Sequence, residues 1–404
     1  MKKITVVGGG WAGLAAAAYA ARGGAKVRVL EARSELGGRG RTEAIEGFML
    51  NEGAHGLYAG LDGWKVLADL GIAPGGARPA RRGYGQLRGK ITLMPGTPLD
   101  SIRSPMIGLR TKMQLGKILA NPAKLSKSVV DGTSMQQWIA SNTNDSDARL
   151  ILAMAARTAT YQSNMDQLDA RVGVAQTVSA MTDGVRYLDG GWRQIVDALR
   201  TCASNAGATF ETDAKVSSLA EVDDGDAVIL AAGGPRQVVS VLGGRSDVAQ
   251  RWAEEAIPVL AASLDLGMTR LPRPERRFVL GVDSPLYLSV HTPSAKLAPG
   301  DSEVVHVLHY DISAGDVRAD MEKFLDAAQP GWRAEVVVER FGRSRVVAHA
   351  APLPGRGSLM GRPGSAIPDC AGVFVAGDWV GPTGLLADAA LASGRAAAFA
   401  ALAT

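Results

Sequence analysis

A glycine-rich turn close to the N-terminus constrains the fold of this chain more than any other feature. Residues Lys3–Val7 carry β-forming side chains and read as a short buried strand, and residues 8–13 then read G-x-G-x-x-G. Residues 14–22 are alanine-rich and helical in composition, and Lys26–Leu30 alternate as a second strand. This order of strand, glycine turn, helix and strand predicts the opening unit of a parallel α/β sheet.

Each glycine of the turn has a separate physical task. Gly8 permits the tight turn out of the strand, Gly10 lets the backbone approach a pyrophosphate, and Gly13 lets the helix pack closely on the sheet. The N-terminus of the helix offers free N–H groups and partial positive charge to phosphates. Glu31 lies 18 residues after Gly13, where a carboxylate accepts hydrogen bonds from an adenosine ribose. The pattern predicts a dinucleotide site that comprises Gly8, Gly10, Trp11, Ala12, Gly13 and Glu31.

The residues that follow the second strand indicate which dinucleotide binds. Segment 31–42 contains Glu-Ala-Arg and then Gly-Gly-Arg-Gly-Arg-Thr, and segment 51–55 reads Asn-Glu-Gly-Ala-His. Both segments resemble the FAD-dependent amine oxidase, phytoene desaturase and protoporphyrinogen oxidase superfamily. The resemblance implies non-covalent FAD, with backbone amides and an arginine at the diphosphate and the 51–55 turn beside the flavin ring. The residues implied are Ala32, Arg33, Gly37, Gly38, Arg39, Gly53, Ala54 and His55.

The C-terminal end carries further motifs of the same superfamily. Segment 372–376 reads as a buried strand that leads into Gly377 and Asp378, and a helical run follows at 385–402. By resemblance, Asp378 binds ribityl or phosphate oxygens. The backbone amides near Leu386 and Ala387 would point at the N1–C2=O edge of the flavin, where reduction places negative charge.

Two segments in the middle of the chain complete the resemblance. Residues 214–217 resemble the strand whose Val216 packs against adenine, and Ala232 ends a strand that passes under the phosphates. The order of the motifs implies an α/β fold with a discontinuous Rossmann-like FAD-binding domain and a second, substrate domain of mixed sheet and helices. The expected bounds are 1–75, 185–235 and 365–404 for the FAD domain, and 76–184 and 236–364 for the substrate domain.

Non-covalent FAD implies hydride transfer from a substrate carbon to flavin N5. Amine oxidases of the superfamily place a lysine on a substrate-domain strand, but the corresponding segment 259–266 has none. Their aromatic cage is represented by Gly384, Leu385 and Leu386. We therefore expect dehydrogenation of a C–C or C–N bond in a largely apolar molecule, with O₂ or a quinone as electron acceptor. A flavin amine oxidase that releases imine and hydrogen peroxide, and a non-enzymatic binding protein of the same fold, are the alternatives.

Few side chains outside the cofactor motifs are candidates for catalysis. His55, Tyr58 and Trp379 lie close to the motifs, and no catalytic base is assigned among them. His306 and His309 are three residues apart on one predicted strand and should face opposite sides. For both of these histidines we expect a packing role.

Composition and charge limit the partners. The net charge is +4, and no arginine-rich run with interleaved aromatic residues points to nucleic acid. Cys202 and Cys370 are the only cysteines, too few for a disulfide framework or a cysteine metal site, and in keeping with a reducing cytoplasm. No run of 18 apolar residues predicts a transmembrane helix.

The segment 97–130 is strongly basic and partly apolar. It mixes Leu, Ile and Met with Arg103, Arg110, Lys112, Lys117, Lys124 and Lys127, and Asp100 alone opposes them. One interpretation is peripheral contact with an anionic membrane, from which an apolar substrate would be taken. The other is a solvated pair of helices that covers the substrate cavity.

Overall fold

The computed structural model describes the chain except for residues 81, 96–99, 101–102, 123–124, 126–128, 223–224, 293 and 314. A parallel sheet of five strands joins the two ends of the chain. Its strands are Lys3–Val7 (β1), Lys26–Leu30 (β2), Thr209–Glu211 (β10), Ala227–Leu230 (β11) and Val373–Val375 (β17). They lie in the order β10-β2-β1-β11-β17, so that the first strand occupies the centre and the last strand an edge.

Two alanine-rich helices close the face of this sheet. Helix α1 (Trp11–Arg22) packs along helix α11 (Leu386–Ala403), and a Cβ added at Gly394 would lie 2.3 Å from the carbonyl oxygen of Ala12. Small residues allow this close approach. Helix α11 is 18 residues long with mean hydropathy 1.3, enough by length and composition to cross a membrane, but half of it is buried inside the protein.

A second, mixed sheet carries seven strands. They are Tyr84–Leu87 (β7), Lys90–Leu93 (β8), Val259–Met268 (β12), Phe278–Gly281 (β13), Leu286–Val290 (β14), Glu303–His309 (β15) and Val336–Ala348 (β16). Their order is β16-β12-β15-β14-β13-β7-β8, antiparallel except where β13 pairs with β7. Helix α10 (Val317–Ala328) contributes Met321, Phe324 and Leu325 to the core on one face of the sheet.

The remaining elements connect or cover the two sheets. Small sheets are formed by Thr42–Ile45 (β3) with Phe48–Asn51 (β4), and by Leu57–Tyr58 (β5), Val185–Leu188 (β9) and Gly76–Ala77 (β6). The other helices are Asp62–Asp69 (α2), Leu109–Leu119 (α3), Met135–Asn142 (α4), Ser146–Thr160 (α5), Ala170–Thr182 (α6), Arg193–Asn205 (α7), Pro235–Leu242 (α8) and Asp247–Glu255 (α9). Short 3₁₀ turns occur at Gly38–Gly40, Leu219–Glu221, Trp332–Glu335 and Ser358–Gly361.

The α/β fold class predicted from the sequence is confirmed. The strands of the parallel sheet fall within 1–75, 185–235 and 365–404, and those of the mixed sheet within 76–184 and 236–364; the domain bounds themselves stay a prediction.

One predicted strand, at 214–217, is absent. Asp213 adopts a positive φ of 55°, and the amide of Ala214 donates to the carbonyl oxygen of Glu31. The chain therefore leaves the sheet after Glu211, and Val216 lies on a loop.

Candidate nucleotide-binding site

The three motif glycines differ in what the fold requires of them. Gly8 has a φ of +107°, and a Cβ there would lie 2.4 Å from the oxygen of Ala231. A Cβ at Gly13 would lie 1.9 Å from the oxygen of Gly8. Gly10 has an ordinary φ of −78°, and the nearest atom to its Cβ position is the oxygen of Gly37 at 4.0 Å. The protein fold thus explains Gly8 and Gly13, whereas Gly10 leaves space beside the start of α1.

Helix α1 presents its N-terminus to that space. Gly10 is the N-cap residue, it has no side chain to cap the helix, and no acidic residue lies in the first turn. The N–H groups of the first turn have no acceptor within the helix. Together with the positive end of the helix dipole, they provide a site for an anion.

Glu31 follows β2 directly and contacts the first glycine turn. Its carboxylate is buried, and it accepts hydrogen bonds from the amides of Gly9 at 2.7 Å and Arg33 at 3.0 Å. Each oxygen of an ionised carboxylate has a second lone pair, which is available to a ribose hydroxyl. Ala32 and Arg33 are exposed beside it.

The Gly37-Gly38 turn lies against the first glycine turn. The amide of Gly37 donates to the oxygen of Gly9 at 2.8 Å. A Cβ at Gly38 would lie 3.4 Å from the Cα of Gly10. Both residues have positive φ values, 118° and 55°, which glycine adopts without strain. The two glycine segments therefore line the same space.

Arg39 and Asp378 bring the two chain ends together. A guanidinium nitrogen of Arg39 lies 3.0 Å from a carboxylate oxygen of Asp378, and His349 donates to the same carboxylate through its ring and its backbone amide. Burial opposes ionisation of Asp378, but Arg39 and His349 hold its pKa well below the ordinary value. Sequence reasoning missed His349 because a single histidine in a loop after a strand carries no motif.

The start of α11 resembles the start of α1 in having no side-chain cap. Leu385 is the N-cap residue, and Leu386 and Ala387 are partly buried in the first turn. Leu386 has a φ of +55°, a left-handed conformation that is unfavourable for leucine and is found at sites under functional constraint. Arg362, which the sequence did not indicate, donates to the oxygen of Gly384 at 2.8 Å. Burial lowers the pKa of Arg362 to about 10.

The predicted flavin turn contacts the mixed sheet. Gly53 has a φ of +91°, and its Cβ position lies 3.5 Å from Ser263 on β12. The carbonyl oxygen of Ala54 accepts a hydrogen bond from the hydroxyl of Tyr161 at 2.9 Å. Ala54 and Tyr161 belong to a cluster of apolar and aromatic side chains at the end of the sheet that also contains Tyr287, Leu308 and Tyr310.

His55 connects this turn to the N-terminal glycines. Its Nδ1 bonds to the oxygen of Gly53 at 2.7 Å, and its ring meets the edge of Trp192 at 4.5 Å. Trp192 in turn stacks on Trp11 at 4.3 Å. Burial lowers the pKa of His55 to about 4, so its imidazole is neutral near pH 7. Of the three side chains predicted as catalytic candidates, His55 is the one that is partly exposed.

Tyr58 and Trp379 are built into the protein interior. The hydroxyl of Tyr58 donates to the oxygen of Ala159 at 3.1 Å, and burial raises its pKa above the ordinary value. Trp379 is 1% exposed, and its indole N–H donates to the oxygen of Gly233 at 2.9 Å. Both polar groups therefore bond to the backbone, as expected of side chains that serve packing.

Three further predicted residues line the same end of the parallel sheet: Gly377, Val216 and Ala232. Val216 and Ala232 pack against its apolar core.

Comparisons with known proteins define the class first. Residues 6–70 match the family described as NAD(P)-binding Rossmann-like domain. The whole fold superimposes on that of an oxidoreductase from Methanosarcina mazei with a TM-score of 0.76 and 20% identity, covering 100% of both chains. The chain is thus an α/β protein with a Rossmann-like nucleotide-binding unit and the fold of known oxidoreductases.

More specific likenesses follow. The chain is 32% identical over 131 residues to the mitochondrial protoporphyrinogen oxidase of Nicotiana tabacum, a match that covers 31% of this chain and 26% of that enzyme. It shares its fold with a putrescine oxidase solved with bound putrescine, at a TM-score of 0.78 and 16% identity over 100% of this chain and 99% of the other. The resemblance to the amine oxidase and protoporphyrinogen oxidase superfamily is confirmed.

Proposed function

We propose that this chain binds FAD non-covalently and is an FAD-dependent oxidoreductase. The reaction would be the dehydrogenation of a C–C or C–N bond in a largely apolar substrate, with hydride transfer from a C–H bond to flavin N5. Bound FAD would supply the two-electron acceptor. The chain would supply the amides of both helix N-termini, the arginine at residue 39, the carboxylate of Glu31 and the turn at 53–55.

One observation carries the proposal of a bound dinucleotide. Among the three motif glycines, Gly10 alone has neither a positive φ nor a close neighbour that would exclude a side chain. It stands between an uncapped helix N-terminus and the Gly37-Gly38 turn. A pyrophosphate in that space gives a reason for glycine at this position, because its oxygens need the backbone at close range.

The test compares Gly10→Ala with Gly364→Ala, at an exposed glycine that also has open space around its Cβ position. Both variants should fold with wild-type stability. FAD binding, followed by the quenching of flavin fluorescence, should weaken at least tenfold in Gly10→Ala and stay unchanged in Gly364→Ala. Equal affinity for FAD in the two variants would contradict the proposed site.

The apolar nature of the substrate is supported by what surrounds Ala54. Ala54 belongs to a hydrophobic cluster that also contains Leu280, Leu308 and several tyrosines and that continues into helices α4 to α6. Burial raises the pKa of Tyr287 and Tyr310 above the ordinary value, so both hydroxyls stay neutral. Such a lining suits a bulky apolar or aromatic molecule. The electron acceptor, O₂ or a quinone, is part of the proposal.

A flavin amine oxidase is the second candidate, because the fold is shared with a putrescine oxidase. Peroxide release in the presence of a panel of primary and secondary amines separates the two. Turnover with amines would favour the amine oxidase. Reduction of the flavin by an apolar hydrocarbon, with every amine inactive, would favour the desaturase-like reaction. Colourless protein that does not take up FAD would favour a non-enzymatic binding protein.

We also propose that helix α3 contacts an anionic membrane from the cytoplasm. Leu109 and Met113 are 73% and 66% exposed, one helical turn apart, and Arg110 and Lys117 are exposed beside them. Lys124 and Lys127, named with the same segment, lie outside the described residues. Such a surface binds a lipid interface through apolar insertion and charge attraction.

Co-sedimentation with vesicles that contain phosphatidylserine, at low salt, tests this contact. Leu109→Ser with Met113→Ser should reduce binding at least threefold, whereas Met181→Ser, at another exposed methionine, should not. Wild-type protein that stays in the supernatant would remove the membrane proposal and leave the covering-helix interpretation.

A further inference from the structure

A row of polar side chains crosses the mixed sheet behind the 51–55 turn. Arg340 on β16 is paired with Asp265 on β12, Asp265 with His306 on β15, and His306 with Ser289 on β14. Directly paired residues place their side chains on the same face of a sheet. The opposite face of β15 carries His309, three residues on, which lies near Asp320 of α10. The two histidines therefore do face opposite sides, but only His306 is part of this row.

The centre of the row is sealed from solvent. Asp265 and His306 are both 0% exposed, and His306 Nδ1 lies 2.7 Å from a carboxylate oxygen of Asp265. Arg340 donates to the other oxygen at 3.0 Å and also bonds the carbonyl oxygen of Asn51. Burial opposes ionisation of Asp265, but His306 and Arg340 keep its pKa below the ordinary value. Asp265 is therefore a carboxylate that fixes the His306 ring with Nδ1–H toward it.

The far side of the histidine faces a second histidine. Within the part of the chain that the structure describes, His306 Nε2 and His291 Nε2 are both buried without a hydrogen bond, and the two rings lie 4.4 Å apart. Tyr187 stacks on the other face of His291 at 3.7 Å. Burial lowers the pKa of His291 well below the ordinary value, so this ring is neutral. A buried polar atom without a partner is costly, and its retention here calls for a function.

We propose that His306 Nε2 is a proton-storage site that responds to charge at the 51–55 turn. This inference rests on the proposed flavin function. Asp265 and Arg340 balance each other, so a proton on His306 adds one positive charge to the buried row. Because Arg340 already balances Asp265, that charge is favourable only when a further negative charge stands close by. Electrons that arrive beside the 51–55 turn supply it.

The substrate of this reaction loses two hydrogens. One C–H bond breaks, and its hydrogen leaves with both electrons as a hydride. A double bond forms as the neighbouring C–H or N–H bond breaks and releases a proton. The released proton passes to solvent, and His306 takes up one proton from solvent when the electron pair arrives and returns it on reoxidation. His306 does not touch the substrate, so it acts as a positioning residue and not as a catalytic one.

The charged and titratable groups that face His306 come from each neighbouring element. They are Asp265 on β12, Arg340 on β16 with Glu43 beyond it, His291 after β14 with Tyr187 behind it, and His55 with Glu52 on the 51–55 turn. Asp265 is thus the carboxylate in direct contact with His306, and Asp265→Asn should abolish the storage of the proton as His306→Asn does.

The experiment uses the imidazole nitrogen NMR signals of FAD-loaded protein labelled on its five histidines. Spectra near neutral pH are compared before and after photoreduction. One histidine should change from the neutral to the doubly protonated pattern on reduction. The change should be missing in His306→Asn and in Asp265→Asn, and retained in the matched control His309→Asn on the opposite face of β15.

The outcomes separate the two proposals. Protein that loads with FAD but shows no histidine change on reduction, or the same change in His306→Asn, overturns the proton-storage site and leaves the flavin proposal standing. Protein that takes up no FAD overturns both, since no charge would then arrive at the turn. If His306→Asn does not fold, the wild-type and Asp265→Asn spectra decide: a change in both spectra contradicts the inference.

Discussion

The glycine turn at residues 8–13 and the turn at residues 377–387 border the same proposed site, but they are built differently. The first offers backbone N–H groups and open space, and no charged side chain belongs to it. The second contains the buried carboxylate of Asp378 and a leucine in a left-handed conformation, and the buried carboxylate of Asp388 follows it directly. Backbone geometry thus forms one half of the site, and charge balance and strain form the other. The two halves should respond differently to substitution and to pH.

The largest effect should come from Gly13→Ala. Its methyl group would lie 1.9 Å from a backbone oxygen, and neither α1 nor β1 can move without disturbing the core. We expect a loss of about 3 kcal/mol in the free energy of unfolding, or no folded protein. Gly10→Ala, three residues earlier in the same turn, is the control and should unfold at the wild-type denaturant concentration. Equal stability of the two variants would show that the turn is not packed as described.

Asp388 should make the second turn sensitive to pH. It is 1% exposed and accepts a hydrogen bond from the amide of Gly63 at 2.9 Å, and burial raises its pKa to about 7. The pKa of an aspartate in the unfolded chain is about 4. At a pH between this pKa and the folded pKa, the unfolded chain has lost the proton that the folded chain keeps. Stability attributable to Asp388 therefore falls as pH rises from 4 to 7, by up to about 4 kcal/mol.

Urea denaturation of the flavin-free protein at several pH values checks this dependence. Asp388→Asn keeps an oxygen to accept from Gly63 but carries no charge. The variant should equal the wild type near pH 4 and exceed it in stability above pH 7. A difference that does not change between these pH values would show that Asp388 is ionised throughout.

The contribution of Asp378 to stability should depend on pH in the opposite sense. Its pKa is held below the ordinary value, so its contribution is present above about pH 4 and is lost as pH falls through the folded value. Asp378→Asn should lower stability at pH 7 by about 2 kcal/mol, less than for a fully buried pair because Arg39 is partly solvated. Asp301→Asn, at an exposed carboxylate, should change nothing. A variant of Asp378 that is as stable as the wild type at pH 7 would argue against a structural ion pair.

The smallest effect concerns Leu386. Its φ of +55° is unfavourable for any residue with a Cβ and ordinary for glycine. Leu386→Gly should therefore be more stable than Leu386→Ala by about 1 kcal/mol, both lacking the leucine side chain. Thermal unfolding of the two variants measures this difference. If alanine is the more stable of the two, the first turn of α11 is an ordinary helical turn.

The sequence predicted best those elements whose signals lie next to each other in the chain. The strands Lys3–Val7 and Lys26–Leu30 were predicted with the bounds that the structure has, because hydrophobic runs and glycines are adjacent in the chain. β16 was missed because charged residues cluster in the middle of Val336–Ala348, which forms an edge of its sheet and is largely solvated.

Tertiary contacts were the part that the sequence did not reveal. His349 reaches Asp378, and Arg362 reaches Gly384, from loops that carry no motif. His306 was expected to be a packed residue, since nothing near it in the chain indicates that Asp265, 41 residues away, is its partner. Pairing across a sheet depends on register, which neither composition nor spacing specifies.

The cofactor content of the purified protein tests the central claim most directly. The protein is expressed in a flavin-replete cell, purified and then denatured. The small molecules that it releases are separated and identified by mass. We predict FAD at about one molecule per chain, released without proteolysis because no covalent bond holds it. Protein that is colourless, releases no flavin and gains no flavin absorbance on incubation with FAD would contradict the account.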